Sequence, residues 1–149
     1  IDPSGRTPAK TAHIAQIVRN SLMDLDAEAT RLEIERPILN VLITDGRGFI
    51  AHRAGMPLYL STQKISCSDA ETCAEPNKVC LDAVRPEATP VNHMLVASEP
   101  IDATENLWEE LSDGSTLMMT PAFRLAFFPP PANWIPPILP DRFKAPAIS

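Results

Sequence analysis

The stretch Pro37-Ile-Leu-Asn-Val-Leu-Ile-Thr-Asp-Gly-Arg-Gly-Phe-Ile-Ala-His-Arg53 constrains the fold of this chain more than any other. An apolar run, an Asp45-Gly46 corner and a second apolar run spell an antiparallel β-hairpin. Asp-Gly supplies the positive φ angles that a tight two-residue turn requires, and apolar flanks on both sides strengthen the assignment. Residues 38–43 are apolar at every position except Asn40, so this strand is expected to be covered on both faces.

Upstream of the hairpin the period changes from two to between three and four. Thr7-Pro8 opens a helix, with Thr at the N-cap and Pro at the first helical position, where its missing N–H costs nothing. Ile14, Ile17, Val18, Leu22, Leu25, Ala29 and Leu32 follow at helical steps and define one stripe along about seven turns. Asp24, Asp26, Glu28, Arg31 and Glu33 fall mainly on the other, solvent-facing side, and Pro37 blocks any continuation.

Downstream the pattern is again β. Strands are predicted over 38–44, 49–53, 58–61, 94–97, 116–120 and 123–127, with 94–97 a buried strand ending at Ser98-Glu99-Pro100. Residues 102–111 are expected to form a short helix or turn carrying Trp108. Periodicity fails over 66–92, a loop with prolines at 76, 86 and 90; loops this long inside a compact domain are functional, cross-linked or mobile. Half of the 16 prolines lie between Pro121 and Pro146. The Pro-rich tail, residues 129–149, can be neither helix nor central strand, and its Trp134, Ile135 and Leu139 suggest an extended path across a surface groove.

At 149 residues the chain is one ordinary domain with room for a core. A net charge of −6 without a basic run excludes the phosphate-neutralising footprint of a nucleic-acid binder. No segment approaches the ~20 apolar residues of a bilayer span, and no secretory signal is written; we expect no membrane contact and a cytoplasmic location. The chain begins with Ile, not Met, so we read it as a processed product, a trimmed piece or part of something longer.

The order of these elements carries a family resemblance. A long amphipathic helix is followed by Leu39-Asn-Val-Leu-Ile-Thr-Asp-Gly46, Ala51-His-Arg53, the Pro57-to-Ser61 step, Val96-Ala-Ser-Glu-Pro100, Trp108-Glu109 and the Asp113-Gly114 turn. Over roughly residues 8 to 128 this resembles the second half of class II glutamine amidotransferases, the N-terminal-nucleophile (Ntn) hydrolases. It is most similar to compact members such as the ergothioneine-pathway γ-glutamyl amidohydrolase and fungal glutathione-degrading relatives. The resemblance implies an α+β fold, part of an αββα sandwich of two antiparallel sheets between helices. It divides the chain into 1–128, the C-terminal half of the glutamine amidotransferase-like domain with a Cys-containing loop at 66–92, and the tail at 129–149. The implied chemistry is attack on a γ-glutamyl amide by the thiolate of an N-terminal Cys whose α-amino group is the base, with donors stabilising the oxyanion. No cofactor is implied.

In that family the catalytic Cys, the substrate-gripping Arg, the oxyanion Asn-Gly and the ligand-binding Asp all lie in the first half, which residues 1–149 do not match. No catalytic, cofactor or metal residue is therefore assigned here, and the chain alone is expected to be inactive. Its implied partners are the N-terminal catalytic segment and a glutamine or γ-glutamyl substrate.

Several residues invite chemistry of their own. Cys67, Cys73 and Cys80 are compatible with one disulfide plus a free thiol, with three reduced thiols, or with a Cys₃His zinc site using His93. The zinc reading lacks the close ligand pair that structural sites usually show. His13, His52 and His93 are read as surface or satisfied polar positions. Glu99, after a buried strand, is either a desolvated carboxylate bordering a cleft or, with Ser98, a partner for backbone donors at the strand end; the second is favoured. Asn40 is read as an architectural buried amide, and Tyr59 and Trp108 as core aromatics with one polar handle each. The rival to an enzyme half is a non-enzymatic interaction module that uses the tail and the Cys loop for recognition. A metal-stapled small domain, dependent on zinc for folding, is a third reading.

Overall fold

The computed structural model describes residues 8–66, 91, 93–101 and 105–137. The chain folds as one helix and two antiparallel sheets. Helix α1 spans Pro8–Arg31. Strands β1 (Val41–Thr44), β2 (Phe49–His52), β6 (Thr116–Met119) and β7 (Leu125–Phe128) form a four-stranded sheet in the order β1-β2-β6-β7. Strands β3 (Tyr59–Lys64), β4 (Leu95–Ala97) and β5 (Asn106–Glu110) form the second sheet in the order β4-β3-β5.

Alternation along the strands fixes the layers. Ala51, Leu117 and Leu125 of the first sheet meet Leu58 and Leu60 of β3 and Leu111, with Phe49, Met119 and Val96 packed around them. The two sheets thus share one core. Ile50 and Met118, neighbours in sequence to those residues, point the opposite way and pack under Ala15, Ala12 and Val18 of α1. The order is helix, first sheet, second sheet.

The helix turns inward only part of the expected stripe: Val18 and Ala29 face inward together with Ala12 and Ala15, which lie outside it. Ala15 and Ala29 are buried, whereas Ile14, Ile17, Leu25 and Leu32 are exposed, Ile17 to 51%. Small side chains let the helix axis lie close to the sheet, and the row of larger residues is turned to the side. Asp26, expected on the outer face, is buried. The helix ends before Pro37 acts. Glu33 takes a positive φ of 54°, its N–H reaches the Thr30 carbonyl and the Ile34 N–H reaches that of Ala29, the Schellman arrangement of a helix C-terminus.

Other expectations are also corrected. Strand β1 lies at the end of its sheet, so it is not covered on both faces: Leu42 is 54% and Ile43 41% exposed. The hairpin corner is a four-residue loop, because Thr44 pairs with Phe49. Gly46 supplies the positive φ, 81°, while Asp45 Oδ1 accepts the N–H groups of Arg47 and Gly48. The region around Trp108, expected as helix or turn, is strand β5. It pairs with β3 across a bulge between Leu60 and Gln63. Strand β4 is only three residues long and leaves Leu95 exposed. No helix among the described residues is long and apolar enough to cross a membrane.

Candidate functional site

Three groups of residues have the makings of a site. The first is a cleft of about 210 Å³ between α1 and the β1–β2 hairpin, lined by Ile14, Ile43, Thr44, Phe49, Ile50 and Pro121 among others. Its walls are mostly apolar, and it opens beside the exposed edge of β1. On the hairpin side of the cleft Gly48 lies close to β6: a Cβ there would be 3.2 Å from the Met119 carbonyl oxygen.

The second group is His52 with Thr116. Register pairs the two across β2 and β6, and His52 Nδ1 lies 2.8 Å from Thr116 Oγ1. Burial under the helix and the nearby Arg19 charge hold the imidazole below its ordinary pKa, opposed by Asp113. A hydroxyl beside an imidazole is the raw material of an activated nucleophile. Here, however, His52 is 1% exposed and Thr116 not at all, so no substrate can reach the oxygen. The pair satisfies polar groups between helix and sheet.

The third group surrounds the 53–57 turn and the β5–β6 turn. Arg53 donates through Nε to the Met56 carbonyl and through Nη1 to the Leu111 carbonyl, and it forms an ion pair with Glu110 at 2.6 Å. Asn40 donates to the Met56 and Pro57 carbonyls, at 3.0 and 3.2 Å, and accepts the Ala54 N–H at 3.0 Å. Its half-buried amide clamps this turn. Asp113 accepts the Gly55 N–H at 3.0 Å and the Trp134 Nε1–H at 2.7 Å. Arg36 grips Asp26 with two bonds, Nε–Oδ1 at 2.6 Å, and donates to the Ile135 carbonyl at 2.7 Å. Asp26 holds the Arg36 guanidinium above its ordinary pKa. Arg19 donates to the Pro129 carbonyl. Residues 129–137 are thereby tied to the helix and to the β5–β6 turn.

The other residues singled out in the sequence are scattered. His13 is exposed on α1. His93 is half-buried, its pKa held down mainly by burial, and its Nε2 has no hydrogen-bond partner among the described residues. Ser98 and Glu99 are both exposed, so Glu99 is not a desolvated carboxylate. Tyr59 is half-buried; Trp108, also half-buried, donates to the Ile101 carbonyl at 2.9 Å. Cys67, Cys73, Cys80 and residues 138–149 lie outside the described residues. Among the described residues no group of three His, Cys, Asp or Glu side chains could hold a metal ion.

The sequence reading missed Asp26, Arg36, Asp113 and Trp134 as a connected set. Their separation along the chain hides them. The signals available were an Arg immediately before Pro37 and a Trp set among prolines. No protein-family model, curated protein or solved structure matches the chain.

Proposed function

We propose that this chain is the structural half of a class II glutamine amidotransferase-like enzyme that hydrolyses a γ-glutamyl amide, its catalytic N-terminal Cys carried by a segment outside residues 1–149. The observation that supports this reading best is the layer order. One helix lies on one face of an antiparallel sheet whose other face packs on a second antiparallel sheet. An αββα Ntn sandwich has the same succession in three of its four layers, which is what supports the reading.

The surfaces left open fit the same reading. Strand β1 ends its sheet with Leu42 and Ile43 exposed, and α1 exposes Ile14, Ile17 and Leu25. An apolar sheet edge beside an apolar helix row is an aggregation hazard unless another segment covers it. In this role the chain completes the sandwich and shapes one wall of the cleft. The thiolate, its α-amino base and the oxyanion donors come from the other segment, and the reaction needs no cofactor.

A second reading, a binding module on the same scaffold, is favoured by the mostly apolar cleft between Ile14 and Ile43. The two separate by the intact mass of the protein isolated from its native source under denaturing, non-reducing conditions. The enzyme-half reading expects a polypeptide beginning with Cys, either as a second chain or as the start of a longer chain containing residues 1–149. The chain isolated without any such polypeptide would leave the binding module.

A further inference from the structure

Trp134 occupies a seat built from three distant parts of the chain. Gly114, in the β5–β6 turn, forms the floor: its φ is +78°, and a Cβ there would lie 2.6 Å from Trp134 Cδ2 and 2.7 Å from Cγ. The indole therefore rests directly on backbone, at a distance only glycine allows. Asp113 supplies the edge contact, its Oδ1 accepting the indole N–H at 2.7 Å. Arg36 covers the ring, with its guanidinium carbon 5.6 Å from the ring centroid, a cation–π placement.

Each wall is itself held in place. Asp113 is oriented by the Gly55 N–H on its other oxygen. Arg36 is oriented by Asp26, which is buried on α1. The segment that carries Trp134 is a strap whose Asn133, Ile135 and Pro136 are exposed and whose Pro137 is buried; arginine side chains bind its Ile135 and Pro129 carbonyls, and the Trp134 N–H reaches the Pro131 carbonyl. Two walls of the seat are thus held by partners outside the strap.

We propose that Gly114, Asp113 and Arg36 form a recognition site for an indole, filled in the free chain by its own Trp134. The three contacts select for a flat aromatic face, a ring N–H and tolerance of a cation above the ring. Indole meets all three. Naphthalene meets the first and third but offers no N–H to the carboxylate. The strap is thus a self-ligand, and a tryptophan-bearing segment from another chain would gain the seat only by displacing it.

The test is to empty the seat and refill it. Trp134→Ala protein is titrated with indole and, separately, with 2-naphthol methyl ether as a ring of similar area without N–H, following Tm and far-UV circular dichroism. We expect saturable stabilisation by indole, with half-saturation on the order of 1 mM for so small a ligand. At ten times that concentration Tm should rise by about 3–6 °C. The ether should need at least about fivefold more, as should indole with the Trp134→Ala/Asp113→Asn double variant. The unaltered protein, its seat filled, should show no saturable rise in this range. If Trp134→Ala does not fold alone, the same titration is read as recovery of the native circular dichroism spectrum. No saturable rise or recovery with indole overturns the proposal, and so does an equal response of the unaltered protein or of the ether.

Discussion

Replacing Asp26 by Ala isolates the buried ion pair that joins α1 to the segment after it. The Asp26 and Arg36 side chains retain 13% and 22% of their exposure, so the pair is neither a surface bridge nor fully dry. Removing one partner of a fully buried pair costs about 3–5 kcal/mol, because the abandoned charge stays desolvated; an exposed pair is worth about 0–1 kcal/mol. Water can reach part of this guanidinium, which places the loss near 2–3 kcal/mol. Alanine returns roughly 0.5 kcal/mol through its better helix propensity. The expected net cost is about 1.5–2.5 kcal/mol, or roughly 3–10 °C in Tm for a chain of this size. Urea unfolding at unchanged m-value reads it directly. Arg36→Ala should cost about 1 kcal/mol more, since it also uncovers Trp134 and frees the Ile135 carbonyl. A double-mutant cycle should return at least about 1 kcal/mol of coupling. A loss below about 0.5 kcal/mol for Asp26→Ala would refute the reasoning, because it would mean the pair behaves as if solvated.

Other consequences can be checked independently. Gly114→Ala places a methyl group under the Trp134 ring and a side chain at φ +78°, so we expect a loss of about 2–4 kcal/mol and a red-shifted tryptophan emission; unchanged emission would contradict the stacking. Leu117, fully buried between the sheets, should cost about 2–5 kcal/mol as Leu117→Ala in thermal or urea unfolding. His52 binds a proton less readily folded than unfolded, so the unfolded chain takes up more protons below its ordinary pKa of about 6.5. Stability should therefore be flat above that pH and fall as pH drops through it. His93 shifts in the same direction. In urea titrations across pH 5–8, His52→Gln should lose part of that slope, and an unchanged slope would assign the effect elsewhere. Leu42→Lys, on the exposed edge, should change stability by less than about 0.5 kcal/mol while abolishing any association made through β1, read by analytical ultracentrifugation of the native assembly.

Some of this architecture could be read from residue order, and some could not. The N-terminal helix was legible because Pro8 and the 3–4 spacing of apolar residues agree. Its inward face was legible only in part: Val18 and Ala29 belong to the expected stripe, but Ile14, Leu25 and Leu32 outweigh Ala12 and Ala15 in any hydrophobicity count, yet alanines allow the closer approach to the sheet. Asp26 looked solvated because its partner, Arg36, lies ten residues on, beyond the helix C-terminus. Strand β5 was hidden by its composition: Asn106, Glu109 and Glu110 are poor strand formers in isolation but suit an edge strand with one wet face. The hairpin was legible in type and misjudged in length, because Asp45 caps two further amides instead of closing the turn at Gly46. The Trp134 seat needs residues 36, 113, 114 and 134 to meet, and no local period encodes that meeting.

The function proposed above is that of half a γ-glutamyl hydrolase that supplies none of its nucleophile. It is tested most directly by glutamate release from glutamine and a γ-glutamyl peptide, measured in parallel for residues 1–149 alone and for the assembly isolated from the native source. We expect no turnover by the chain alone and turnover by the assembly that disappears when its N-terminal Cys is alkylated. Turnover by the isolated chain, or none by the assembly, would contradict the account.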